Sequence, residues 1–358
     1  MNILITGVGG PTPRSIARSL KMSKYFSDAK LYGTDINPFA HGLYQKELYE
    51  KAHVIPRADD IAYWDVVEKM IKKYKIDLAL VHPELEVDIW SERQAIGLDL
   101  PCKALLPFSP LVKLLLNKST LTEALKDTDL VPTSYSFQRD TLDIQGLEKR
   151  LSYPFWVRSE GGSSGLGSLL VHSKEELKNW IAINEDITHF IASTYLPGRN
   201  LCCKLLYWKG KLVRAASGER VQYIMSKVAP SGITGNTSFG RLLNEPKLVE
   251  TADRAMQLLF KQTKAVPHGF FTADLKEEEK GKPYITEINV RMVAFNHAFA
   301  QAGANFSEDI ARLLAADSTF DLDYKMYTFE PNTIFLRDVD AEPIVMNENN
   351  IKREIAPL

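Results

Sequence analysis

The spacing of the apolar residues changes character once along this chain, and the change restricts the fold more than any single motif. Up to about residue 110, short apolar runs alternate with stretches of helical period, whereas beyond Asn117 they come as neighbouring runs joined by tight turns. Asn2 to Thr6 reads as a strand entering Gly7-Val8-Gly9-Gly10, and Ser15 to Leu20 as a helix. Lys30 to Thr34 is a second strand, ending in Asp35. The amphipathic stretch Trp64 to Tyr74 leads to a third at Leu78 to His82. Strands alternating with helices predict a parallel sheet covered on both faces. Pro101, Pro107 and Pro110 then mark a linker rather than the interior of an element.

Past that linker the pattern predicts a helix at Ser119 to Leu125 and strands at Phe155 to Ser159 and Ser168 to His172, flanking the Gly/Ser-rich loop Gly161 to Gly167. A helix at Lys174 to Asn184 follows, then strands at Phe190 to Tyr195, Leu201 to Tyr207 and Leu212 to Ala216. Ser226 to Gly240 is polar and rich in turn residues, which predicts a loop. Helix Pro246 to Lys261 and strands Phe270 to Leu275 and Tyr284 to Asn289 complete the region. Hairpins with flanking helices describe an α+β unit. The fold class is thus α/β followed by α+β, divided at 1–110, 111–195, 196–325 and a C-terminal extension 326–358 with a strand at Thr333 to Leu336. The 358 residues have room for two or three packed units.

Charge narrows the partners. Lys and Arg total 44 against 45 Asp and Glu, so no global field draws nucleic acid or anionic lipid. An odd set of three cysteines, Cys102, Cys202 and Cys203, without metal-ligand spacing predicts reduced thiols. The N-terminus lacks a signal-peptide pattern and no apolar run reaches membrane-spanning length, which predicts a cytoplasmic protein with no membrane partner.

Three places carry chemistry. Gly7 to Gly10 with Asp35 begins like a dinucleotide fingerprint, but Thr12 fills the third glycine position and Pro11 and Pro13 stiffen the turn, so a tight β-α turn without cofactor is the favoured reading. Arg158 ends an apolar strand ahead of Gly161 to Gly167, which suits phosphates cradled by backbone amides and equally a hairpin connection with an incidental arginine. In the strand Tyr284 to Asn289, Glu287 and Asn289 share one face, and Asp274 lies on the preceding strand. Two carboxylates and an amide suit Mg²⁺, with Arg291 within reach of a phosphoryl group; a solvated face with a surface ion pair fits the same pattern. Glu84 or Glu86 at the end of the third strand suits a substrate amino group or an ordinary acidic loop. Arg220 and Lys227 border a loop able to close over substrate.

Lys118, Arg158 with its glycine loop, Phe190 to Gly198, Gly269 to Asp274 and Glu287-Ile288-Asn289-Val290-Arg291 occur in one order. In that order, over residues 1 to about 314, the chain resembles the ATP-grasp superfamily, especially the branch similar to a synthetase half of the carbamoyl-phosphate synthase large subunit. The resemblance implies an N-terminal Rossmann-like (pre-ATP-grasp) domain that helps hold substrate, followed by two lobes clasping ATP. It implies that Lys118 and Arg158 contact ATP phosphates, that Ser163 and Ser164 lie in the loop closing on them, and that the backbone of Ser193, Thr194, Tyr195 and Leu196 reads adenine. Asn200 stands where the family often has a ribose-binding glutamate, Ser193 replaces a common glutamate, and Arg158 a common lysine. Asp274, Glu287 and Asn289 match the Mg²⁺ ligands, a set that also admits Mn²⁺, and Arg291 the arginine that steadies the transferring phosphoryl group.

The implied activity is an ATP-dependent ligase that activates a small-molecule carboxylate as an acyl phosphate for attack by an amine. A carbamoyl- or carboxy-phosphate-forming synthetase and an NAD(P)-dependent reductase on the glycine turn are the alternatives. A homodimer is compatible with either ligase reading.

Overall fold

The computed structural model describes residues 1–161, 165–338, 344–347 and 349. Three sheets organise them. The first is five-stranded and parallel, in the order Lys51–Val54, Lys30–Asp35, Asn2–Thr6, Leu78–Leu80, Lys103–Ala104. Its outer strands, Lys51–Val54 and Lys103–Ala104, were not expected. Both are short and only partly buried, so neither needs the apolar run that betrays a central strand. The helix Pro11–Lys21 starts four residues before its expected bound, because proline is well placed in a first helical turn, where no backbone donor is required. Pro83 to Glu86 is no acidic loop: Glu84 and Glu86 sit in the first turn of the helix Glu84–Ala95, where negative charge meets the positive end of the helix dipole.

A small antiparallel sheet runs in the order Ser134–Gln138, His189–Thr194, Phe155–Ser159, Leu169–Val171. The large sheet runs Pro283–Asn289, Gly269–Glu277, Asn200–Trp208, Lys211–Tyr223, Thr237–Leu243, Thr333–Leu336, Ile344–Asn347, with Lys325–Met326 added beside Lys211–Tyr223. Two expectations change. The strand that opens at Lys211 continues through Tyr223, well past Ala216, and the loop predicted to reach Gly240 gives way to a strand at Thr237.

The two faces of the large sheet bury different things. Cys203 and Leu205 point toward the helix Pro246–Thr263. Cys202 and Leu206 point toward the helices Asn296–Gln301 and Phe306–Leu314 and, beyond them, the helix Pro11–Lys21. Each fully buried Leu or Phe in these clusters stabilises by about 1.5–3 kcal/mol. That second cluster is continuous with Ile3, Ile5 and Leu31 of the parallel sheet and with Val8 of the N-terminal glycine turn. Among the described residues no helix is long and apolar enough to cross a membrane.

Candidate functional site

A cleft of about 780 Å³ lies between the small sheet and the large one. Each wall contributes charge because strand alternation sends one face of each sheet into it. In Phe155–Ser159, Phe155 and Val157 are buried in the small-sheet core, which leaves Trp156 and Arg158 on the cleft face. Arg158 reaches across and donates from Nη2 to the carbonyl of Thr286 at 2.6 Å, so the guanidinium spans both walls. Burial pulls its pKa down, opposed by the charges of Glu287 and Asp274. Lys118 is the first residue of the helix Lys118–Leu125, whose N-terminus is capped by the Asn117 side chain accepting from Ser119 and Thr120 at 2.8 and 3.1 Å. The cap fixes where the helix starts and hence where Lys118 points. Burial lowers the Lys118 pKa, Glu287 raises it and Arg158 lowers it further, so these three side chains share one field.

On the floor, Asp274 and Glu287 are directly opposed across adjacent antiparallel strands, with Asn289 paired to Thr272 beside them. Asn289 Nδ2 lies 3.5 Å from Asp274 Oδ2. Among the described residues no three His, Cys, Asp or Glu side chains gather as a metal site. A cation here therefore depends on the Asn289 amide as third donor. Two carboxylates and an amide are hard oxygen donors, and fit Mg²⁺. Asp274 already has a cation: its Oδ1 accepts from Arg220 Nη2 at 2.5 Å. Burial raises the Asp274 pKa, Arg220 opposes that, and Glu287 adds to it.

Arg291 follows at the end of the same hairpin and is paired with Glu84. Glu84, considered above for a substrate amino group, is thus the counter-ion of Arg291. Ser193, Thr194, Tyr195, Leu196 and Asn200 line the cleft where the small sheet passes into the large one. Ser163 and Ser164 lie outside the described residues. Lys227 lines the cleft, on the segment between Tyr223 and Thr237. Gly165 meets that segment: φ is +76°, and a Cβ there would stand 2.3 Å from the Ile233 carbonyl oxygen. The loops of the two walls therefore touch.

Sequence reasoning undervalued Arg220 and missed Lys204. The signal for Arg220 was the alternation Arg214, Ala216, Gly218, Arg220, which extends the strand. Lys204 is fully buried, its ammonium 4.9 Å from the Phe295 and Phe299 ring centres, and burial lowers its pKa to about 8. Its apolar sequence surroundings gave no sign of that ring box. His268 and His297 have structural partners: His268 Nδ1 accepts from the Lys209 amide, and His297 meets Ser15 and Ser19.

The glycine turn is spent on its own chain. The Gly9 amide donates to Asp35 Oδ2 at 2.7 Å, and a Cβ at Gly9 would come within 2.8 Å of both that oxygen and Ala40 Cβ. Asp35 thus anchors the turn, and Gly9 is needed for close packing.

No protein-family model matches the sequence, and no curated protein matches it. Solved structures do match in fold. The N5-carboxyaminoimidazole synthetase from Staphylococcus aureus, complexed with ADP, superposes with a TM-score of 0.66 at 17% identity, over 94% of this chain and 81% of that one. The L-amino acid ligase from Bacillus licheniformis gives 0.65 at 15% identity, over 93% and 78%. A D-alanine–D-alanine ligase from Bacillus anthracis complexed with ATP gives 0.56 at 15% identity, over 89% and 100%. At such identities the likeness shows a shared fold alone.

Proposed function

We propose that the protein is an ATP-dependent ligase that joins a substrate carboxylate to an amine, with release of ADP and phosphate. One observation carries the reading: Lys118, Arg158 and the opposed carboxylates Asp274 and Glu287, from separate segments of the chain, meet in one cleft. Similar folds crystallised with ADP or ATP support it.

In this reading a carboxylate oxygen attacks the γ-phosphorus and the bond to ADP breaks, leaving an acyl phosphate. The amine nitrogen then attacks the carbonyl carbon, phosphate leaves, and the nitrogen gives up a proton. Such chemistry needs positioning and charge compensation more than covalent help. Lys118 and Arg158 offset phosphate charge from the small-sheet side, and Arg291 does so from the floor. Asp274, Glu287 and Asn289 would hold Mg²⁺, which supplies charge neutralisation between phosphates when bound. Ser193 to Leu196 and Asn200 border the end of the cleft suited to adenine and ribose. The parallel sheet is a Rossmann-like unit in this reading, and Pro11 and Thr12 of the helix after its first strand also line the cleft, where substrate would sit. The test is ADP release from Mg·ATP across a panel of amino acids and dipeptides. Release that depends on a carboxylate and an amine together supports the reading, and release indifferent to both sinks it.

A further inference from the structure

The ligase reading leaves the buried cation Arg220 without a task. Arg220 is only 7% exposed and lines the cleft. Its Nη2 is on Asp274 Oδ1, its Nη1 donates to the Gly235 carbonyl at 3.3 Å, and its guanidinium carbon lies 4.9 Å from the centre of the Phe295 ring. Nε is buried with no hydrogen-bond partner among the described residues. A guanidinium stays charged at any working pH, and one held this deep needs an anion.

Asp274 serves as that anion, but Asp274 is also half of the carboxylate pair that suits a divalent cation. When a metal ion takes its share of that charge, Arg220 is left short of a partner. Nothing else in the cleft lining replaces it: the acids among the described lining residues are Asp274 and Glu287, both at the candidate metal site. The missing anion must arrive with a ligand.

Resting on the ligase reading, we infer that Arg220 is the docking cation for the acceptor's carboxylate, and that metal at Asp274 releases it for that role. The acceptor therefore binds after the metal nucleotide. Asp274 is passed from one cation to another, and the substrate carboxylate closes the exchange. Arg220 selects anionic acceptors without taking part in the phosphoryl transfer.

The test uses the full chain and saturation-transfer NMR with acetate, succinate and L-glutamate as probes and succinamide as the uncharged control, with and without Mg²⁺ and a non-hydrolysable ATP analogue. At least one carboxylate is expected to bind only when metal and nucleotide are present, with succinamide silent. Arg220→Met should weaken that binding about tenfold, the loss of one charge-assisted contact, while Mg²⁺ binding by calorimetry is retained or tightened because Asp274 has lost its competitor. Arg220→Lys, which keeps the charge and guards against misfolding, should retain part of the carboxylate binding. Carboxylate binding that is equal without metal, unchanged in Arg220→Met, matched by succinamide, or absent with all three probes overturns the inference. An arm with Mg²⁺ alone separates the two claims. If the nucleotide analogue fails to bind but Mg²⁺ alone brings a carboxylate to Arg220, the ligase reading falls and the Arg220 assignment stands.

Discussion

Arg291 donates from Nε to a carboxylate oxygen of Glu84 at 3.0 Å, and its Nη2 lies 2.8 Å from the same oxygen, across 207 residues of sequence. The pair ties the end of the Asp274–Glu287 hairpin to the first turn of the helix Glu84–Ala95. A third contact, from Nη1 to the Met292 carbonyl at 3.2 Å, fixes the plane of the guanidinium. Both partners are partly exposed, so the pair contributes about 1 kcal/mol or less to folding. Its consequence is orientation. Glu84→Gln should leave the melting temperature nearly unchanged and nucleotide affinity intact, while kcat falls about tenfold because Arg291 is no longer held in place. Wild-type kcat in this variant would remove Glu84 from the positioning of Arg291.

Glu287 faces Asp274 directly and shares its field with Lys118 and Arg158. Glu287→Ala removes one of the two carboxylates available to a divalent cation. Mutating a mere supporter of a metal ligand costs 10–100-fold, and losing a ligand should exceed about 100-fold in turnover. Calorimetry with Mg²⁺ and an ATP analogue should show the binding loss independently of activity. Full turnover would show that the hairpin holds no catalytic cation.

How far the sequence led differs between elements, for identifiable reasons. The hairpin Gly269–Glu277 and Pro283–Asn289 was legible because it is buried on one face, and alternation then dictates which side chains share the other. The edge strand Lys51–Val54 was hidden because an edge can be short and half-exposed. The far half of Lys211–Tyr223 was hidden because it borders the cleft, so Gly218, Arg220 and Gln222 replace the apolar residues that announce a strand. The carboxylates, Arg158 and Lys118 could be picked out as residue types in order. Their pairings could not, since Arg220 with Asp274 follows from the strand order of the large sheet, and Arg291 with Glu84 from how that sheet meets the N-terminal unit.

The contact between Gly165 and Ile233 makes a steric prediction. With φ at +76°, an alanine at 165 pays the left-handed backbone penalty of about 1–2 kcal/mol and drives a methyl into a carbonyl oxygen. The loops flanking the cleft mouth must then separate. Gly165→Ala should raise KM for ATP severalfold, with the melting temperature lowered by no more than a few degrees because no core residue moves. An unchanged KM would mean that these loops do not need to meet for nucleotide to be held.

One buried carboxyl should make a contribution to stability that falls between mildly acid and neutral pH, opposite in sign to that of the buried His82, His268 and His297, whose pKa values burial lowers. Glu86 accepts from the Tyr63 hydroxyl at 2.8 Å, and Tyr63 in turn accepts from Trp90 Nε1 at 2.8 Å. Burial raises the Glu86 pKa from 4.5 to about 7; bonds from Tyr63 and Thr6 oppose the rise and Asp35 adds to it. The folded protein thus holds a proton that the unfolded chain gives up above about pH 4.5. Between these pKa values Glu86 binds more protons in the folded state, so its contribution to stability drops as pH rises and levels off above about 7. The shift amounts to about 3 kcal/mol in all. Asp309, raised to about 6 by burial, contributes with the same sign but is present in both proteins and cancels in a comparison. Glu86→Gln keeps an acceptor for Tyr63 and removes the ionisation. Denaturant unfolding at pH 5 and pH 8 should show the variant gaining on the wild type by about 3 kcal/mol at the higher pH, and parallel pH slopes for the two proteins would exclude Glu86 as the source.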